Sequence, residues 1–275
     1  MKNTDTKEYL ENYIKLIKKE ALRLIKAPVP KATREAYMLY FETGSRLTFE
    51  KQYFAVREQL TVFGLMVSLW EDTGADKECA ARLLHVIKSV LNENTWVLPA
   101  HGSREHIDGK VQSIDLFSAE TGGSLSEILY LIKDNPAIRD NFYNEYRNIC
   151  LTFIKLLRIR IFNIFLEKNP CDWWEGGTTN WTSVCISNVV ISGYYAGLIG
   201  SDVLGENPRN ILSVNEYGEI MERAAASMAC YIRSMEAGVC TEGCGYYKYG
   251  MEYFLKFHEI LSQEKKNIYK STGQA

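Results

Sequence analysis

Two short stretches concentrate side chains that can do chemistry. One reads Trp173-Trp174-Glu175-Gly176-Gly177-Thr178-Thr179-Asn180-Trp181 and the other Thr241-Glu242-Gly243-Cys244-Gly245-Tyr246-Tyr247-Lys248-Tyr249-Gly250. A side-chain amide such as that of Asn180 supplies paired N–H donors without a titration problem. A phenol such as Tyr246, with Tyr249 nearby, can give a proton and can take one if its pKa is lowered. Glu242 can orient a neighbour or bind a hydroxyl, and Trp174 and Trp181, with Trp173, can stack on sugar faces. Loops that gather Trp, Tyr, Asn and Glu are costly to keep unless they bind something. Each residue also has a plainer use. Asn180 suits a helix N-cap, Glu242 suits the first turn of a helix, and the Trp and Tyr side chains suit a core. The functional reading is that the two stretches line one sugar-binding cleft.

The elements that must hold them read as helices. Apolar residues recur at helical spacing over 5–26, 48–71, 76–92, 114–133, 137–167, 182–199, 212–236 and 251–268, with a shorter segment over 31–43. Pro28 and Pro30, Gly44, the Asp72–Asp76 run and Asn169-Pro170 punctuate them. Residues 93–113 read as an irregular loop carrying Trp96, Pro99, His101, Arg104 and Lys110. A long loop in a compact domain is usually functional, so Trp96 and His101 join the substrate-binding candidates. His101 otherwise reads as a satisfied surface residue, and the two cations as solvated charges. The expected architecture is all-α, an incomplete (α/α) toroid of antiparallel helix hairpins, with long loops favouring it over a solenoid. Residues 1–44 are expected to pack on a toroid spanning 45–270, and 271–275 to form a tail.

Composition narrows the partners. The chain has 275 residues, 46% apolar and 24% charged, as soluble globular domains do. A net charge of −2 gives no basic field for nucleic acid or an anionic membrane. Seven cysteines lie mostly in apolar helical runs. Cys240 and Cys244 have no second pair and no nearby His, so neither zinc nor a disulfide framework is expected, and no cofactor is implied. The N-terminus lacks the apolar core of a signal peptide, and no run is read as approaching a membrane span. The expected compartment is therefore cytoplasmic for the chain as given, and periplasmic or secreted if a leader has been trimmed from it.

The run Thr179-Asn180-Trp181-Thr182-Ser183-Val184-Cys185, followed downstream by Glu242-Gly243-Cys244-Gly245-Tyr246-Tyr247-Lys248-Tyr249-Gly250, resembles the heparinase II/III-like polysaccharide lyases. Trp96, Pro99, His101 and Ile114-Asp115-Leu116 also look like that family's toroid, and the resemblance covers roughly residues 45–255. It implies cleavage of an acidic, uronate-containing glycan by β-elimination. At the matching positions Asn180 would engage the uronate carboxylate, and Tyr246 would act as acid or base. Full-length relatives add a β-sandwich that supplies a His, and no strand-rich region appears in this sequence. Trp181 stands where many relatives have His, Ala237-Gly238 where they have Asp-Gly, and Ile186-Ser187-Asn188 where they have Asn-Gly-Gly. Two alternatives stay open: a sugar-binding toroid without turnover, and an (α/α) glycoside hydrolase using Glu175 and Glu242 as its carboxylate pair.

Overall fold

The structure, a computed structural model, describes residues 3–235 and 242–272, with side chains described over 7–235 and 242–264. Ala237, Gly238, Cys240 and Thr241 therefore lie outside the described residues, as do 273–275 of the expected tail. Helices account for all the regular structure among the described residues, which have no strand. The fold is all-α. It divides into two compact units: Met1–Asn94, Leu98–Lys110 and Ile128–Phe153 form the first, and Thr95–Val97, Val111–Glu127 and Ile154–Ala275 the second.

In the first unit, α1 (Asn3–Leu24), α2 (Arg34–Thr43), α3 (Leu47–Ser68), α4 (Trp70–Thr73) and α5 (Lys77–Leu91) follow in order. Phe49, Tyr53, Val56, Leu60, Phe63 and Val67 recur at three- and four-residue steps along α3, and all are buried. They face α5, whose Leu83, Leu84, Val86, Ile87 and Val90 are buried in turn. The pair forms the expected helical hairpin. The turn differs from expectation, because Trp70–Thr73 coils into an extra helical turn before Gly74 ends it at φ 68. Asp76 then caps α5, its carboxylate accepting from the backbone N–H groups of Glu78 and Cys79. The loop over 93–113 is more ordered than its composition suggests. Pro99–His101 and Arg104–Asp108 are 3-10 turns, and the His106 ring bonds back to Ser103.

In the second unit, α9 (Asn180–Ile199) is the core. These numbers follow α6 (Leu116–Leu131), α7 (Tyr143–Leu157) and α8 (Asn163–Glu167) along the chain, and the division between the units falls inside α6 and α7. The long helix expected over 137–167 is helical throughout but widens into π-turns at Ile138–Phe142 and Arg158–Phe162. α9 is buried on nearly every side. The stretch Asn180–Leu204 is long and apolar enough to cross a membrane by length and composition, which corrects the expectation that no run approaches a span; most of it lies inside the unit, as a core helix does.

Three helices cover α9. Gly122 and Gly123 let α6 run close against it, since a Cβ at Gly123 would overlap the Asn188 amide oxygen. α10 (Val214–Arg233) starts from a capping box in which Ser213 and Glu216 satisfy each other's backbone. α11 (Cys244–Thr272) is stapled by Ser183 Oγ donating to the Gly250 carbonyl at 2.6 Å and Ser187 Oγ to the Tyr253 carbonyl at 2.7 Å. The described part of the second glycine- and tyrosine-rich stretch is thus mostly helix. α11 begins at Cys244, not at 251, directly after Gly243 at φ 91.

Candidate functional site

The N-terminus of α9 brings the two sequence motifs together. Thr179 occupies the N-cap position in an extended conformation and makes no side-chain capping bond. The cap comes from the other motif: Glu242 Oε2 accepts from the Asn180 backbone N–H at 2.7 Å. A carboxylate at a helix N-terminus is favoured by the orphan amides and the helix dipole. Asn180 is the first helical residue, so the expectation that its side chain caps the helix is corrected. The side chain is 2% exposed, and its Nδ2 has no hydrogen-bond partner. Its Cβ lies beside Gly250 of α11, where an added methyl would also overlap the Tyr231 hydroxyl. Gly250 is there because helix backbone, not side chain, must meet Asn180 and Tyr231.

The segment before Asn180 is built on the core. Gly176 turns the chain at φ 74, and its N–H donates to Ser227 Oγ at 3.1 Å. Thr182 Oγ1 donates to the Trp174 carbonyl at 2.7 Å. Trp174 is fully buried, stacked on Phe165, with its indole N–H bonded to the Ile114 carbonyl. Both faces of its role are therefore internal, and it does not offer a ring to a ligand. Trp96 is likewise buried, under the Arg160 guanidinium at 4.6 Å. Their assignment to substrate binding is corrected to core packing, with burial of large aromatic area as the reason. Trp173 behaves differently. It is 62% exposed and pairs with Trp181 at a ring separation of 5.1 Å, leaving an accessible aromatic surface next to Asn180.

Glu175 is committed elsewhere. Both its oxygens bind Arg223, Nε to Oε1 and Nη2 to Oε2, each at 2.7 Å, and Oε2 also accepts from the Cys171 backbone. The pair is buried, and Arg223 additionally donates to the Lys168 carbonyl and covers the Phe165 ring. A carboxylate held in a bidentate buried pair with arginine is a structural anion. This removes Glu175 from a hydrolytic carboxylate pair with Glu242. Burial, with the Glu175 carboxylate as a second cause, pushes the neighbouring Cys171 thiol up to about 12, which makes it unreactive at neutral pH.

The tyrosines of α11 divide in two. Tyr246 and Tyr247 are exposed on the first turns. Tyr249 and Tyr253 turn inward and donate to one oxygen, Glu120 Oε1 of α6, at 2.6 and 2.7 Å. Their rings meet edge-to-face at 5.6 Å. Burial pushes the Glu120 carboxyl above its ordinary value, and the two phenol donors oppose that shift. Desolvation raises both phenols, and the Glu120 charge adds to it. Glu120 is the functional-looking residue that sequence reading passed over. Its signal was an acid inside the buried Ala119-Glu120-Thr121-Gly122-Gly123 run, where an unpaired carboxylate would be costly.

His101 belongs to the first unit, half-buried at the end of the first 3-10 turn, while Asn180, Glu242, Tyr246 and Tyr249 belong to the second. Arg104 donates to the Phe41 carbonyl at 3.0 Å and lies over that ring, so it is engaged within the first unit. The departure at Ile186-Ser187-Asn188 is wholly buried along α9 and serves packing against α6 and α11. Compared with known protein families and with curated proteins, the chain matches none.

Proposed function

We propose that the second unit carries the uronate-handling site of a polysaccharide lyase similar to the heparinase II/III-like enzymes, its helices forming part of an incomplete (α/α) toroid. The observation that supports this reading is the buried, unpartnered Nδ2 of Asn180 at the start of α9, held where the two motifs converge and flanked by Trp181 and the exposed Trp173. A buried amide donor without a partner costs stability. A ligand carboxylate is the kind of group that would satisfy it.

β-Elimination removes the C5 proton beside that carboxylate and expels the C4 oxygen. The proton is weakly acidic while the carboxylate stays anionic, so donors must stabilise the charge that develops on it. Asn180 supplies such donors at the start of α9, whose first backbone amide is already capped by Glu242. Tyr246, solvent-facing on the first turn of α11, delivers a proton to the leaving oxygen. Trp173 and Trp181 stack on a sugar ring. The partner is an acidic glycan and the reaction needs no cofactor.

The test is incubation with a panel of uronate polymers and oligomers, followed by the ultraviolet absorbance of the unsaturated uronate product. Asn180→Ala should lower kcat/KM about 100- to 1000-fold, the usual cost of removing one such donor. A wild-type chain that binds an acidic glycan with Trp181-dependent affinity but yields no unsaturated product would be a binding module instead. No binding and no product across the panel would end the reading.

A further inference from the structure

We infer that Tyr249 is the base of this reaction and that Glu120 is its proton acceptor, the carboxylate acting through the phenol and not on the sugar. The inference rests on the lyase reading above and adds to it the residue that removes the C5 proton.

The juxtaposition carries the argument. Two phenols from successive turns of α11 aim at a single oxygen of one acid on α6, both at short hydrogen-bond distance. Among the described residues no lysine or arginine forms a hydrogen bond or ion pair with that carboxylate. Its surroundings are Tyr249, Tyr253 and Lys256 from α11, Asp115 ahead of α6, and Cys185 from α9, with Asn188 of α9 reaching Tyr253. Lys256 lies over the Tyr253 ring, 5.0 Å from its centroid. A partly buried carboxylate ordinarily takes a cationic partner; this one takes two weak acids.

Tyr249 is also well placed. It is half-exposed and directly precedes Gly250, the residue whose backbone abuts Asn180, and it lies one turn along α11 from Tyr246. The Tyr249 hydroxyl thus meets Glu120 while its chain neighbour meets the proposed carboxylate-binding amide. A phenol whose proton is held by a carboxylate keeps its oxygen lone pair for another proton. As the C5–H bond breaks, that proton goes to the Tyr249 oxygen and the Tyr249 phenolic proton passes to Glu120. The C5 electron pair becomes the C4–C5 double bond, the C4–O bond breaks, and Tyr246 protonates the departing oxygen. Glu120 then releases its proton to solvent and Tyr246 regains one. One proton is taken and one is given, and no oxidant or metal is required.

A merely structural role, clamping α11 onto α6, predicts a different outcome, and kinetics separate the two. Glu120→Gln keeps an oxygen for both phenols to donate to, yet cannot take a proton. It should lower kcat about 100-fold or more, a typical loss for a general base, while KM stays within threefold of about its wild-type value. Tyr249→Phe, which retains the Tyr253–Glu120 bond, should lose as much and decides the matter if Glu120→Gln does not fold by circular dichroism. In the wild type, kcat should fall on the acid side as Glu120 becomes protonated. Tyr253→Phe removes a donor that favours the charged carboxylate, so this acid limb should move to higher pH. Both Glu120→Gln and Tyr249→Phe retaining kcat within about threefold while Asn180→Ala is inactive would overturn this inference and leave the lyase reading standing. An unmoved acid limb in Tyr253→Phe would also count against it. A wild-type chain that forms no unsaturated uronate would overturn both.

Discussion

Asn180 sets up a test that separates binding from folding. Its Nδ2 is buried without a partner, and Ala is a better helix former than Asn at a helical position. Asn180→Ala should therefore leave the unfolding free energy within about 1 kcal/mol of wild type, or raise it, while removing activity. A loss well beyond that in chemical denaturation would mean the side chain supports the fold. Arg223 should behave oppositely. It neutralises Glu175 inside the second unit, with side-chain exposures of 7% and 6%. Arg223→Met leaves a buried carboxylate uncompensated and should cost about 3–5 kcal/mol, because breaking one half of a buried pair is expensive. Denaturant midpoints would register it directly.

Helix packing makes its own demands. Gly250 brings α11 against α9 at the one point where a Cβ would overlap the Tyr231 hydroxyl and crowd Asn180. Gly250→Ala should destabilise by about 1–3 kcal/mol through overpacking, despite the usual gain of Ala over Gly in a helix. Adding Tyr231→Phe, which removes the overlapping oxygen, should recover part of that loss in a double-mutant cycle. α10 carries a pH-dependent attachment. The Arg158 guanidinium, with help from Ser213, holds the Glu216 carboxyl down at about 2, against an ordinary 4.5. A depressed carboxylate stabilises the fold above its unfolded pKa and stops doing so as pH falls through the folded one. Part of the acid loss of stability between about 4.5 and about 2 should thus disappear in Glu216→Gln, seen as a flatter thermal midpoint across that window.

For the whole chain, a net charge of −2 bears on how the proposed anionic glycan would be held. If the uronate is gripped by an amide, phenols and aromatic rings, affinity should fall less than about tenfold between roughly 50 and 200 mM salt, unlike the far steeper loss of a basic phosphate-binding groove. Titration calorimetry at the two ionic strengths measures this. Much of the helical layout was legible, because periodicity along α3, α5 and α10 is written in local spacing. The convergence of Glu242 on Asn180 was foreshadowed by the motif pairing. Three things were not. Trp96 and Trp174 look like ligand-stacking residues, and only tertiary packing reveals their rings as covered. Tyr246 and Tyr249 differ by three positions, and only the direction of α11 sends one outward and the other to Glu120. Glu175 carries no local mark of its distant partner, Arg223.

The apolar girth of α9 has a consequence for how the chain is made. Helices later in the sequence, α10 and α11, provide much of its cover. During synthesis α9 leaves the ribosome as a greasy cylinder that resembles a membrane segment. It must wait in that state until α11 has been translated, a natural client for a holdase chaperone. A chain ended after Arg233 should therefore collect in the insoluble fraction to a greater extent than the 275-residue chain does.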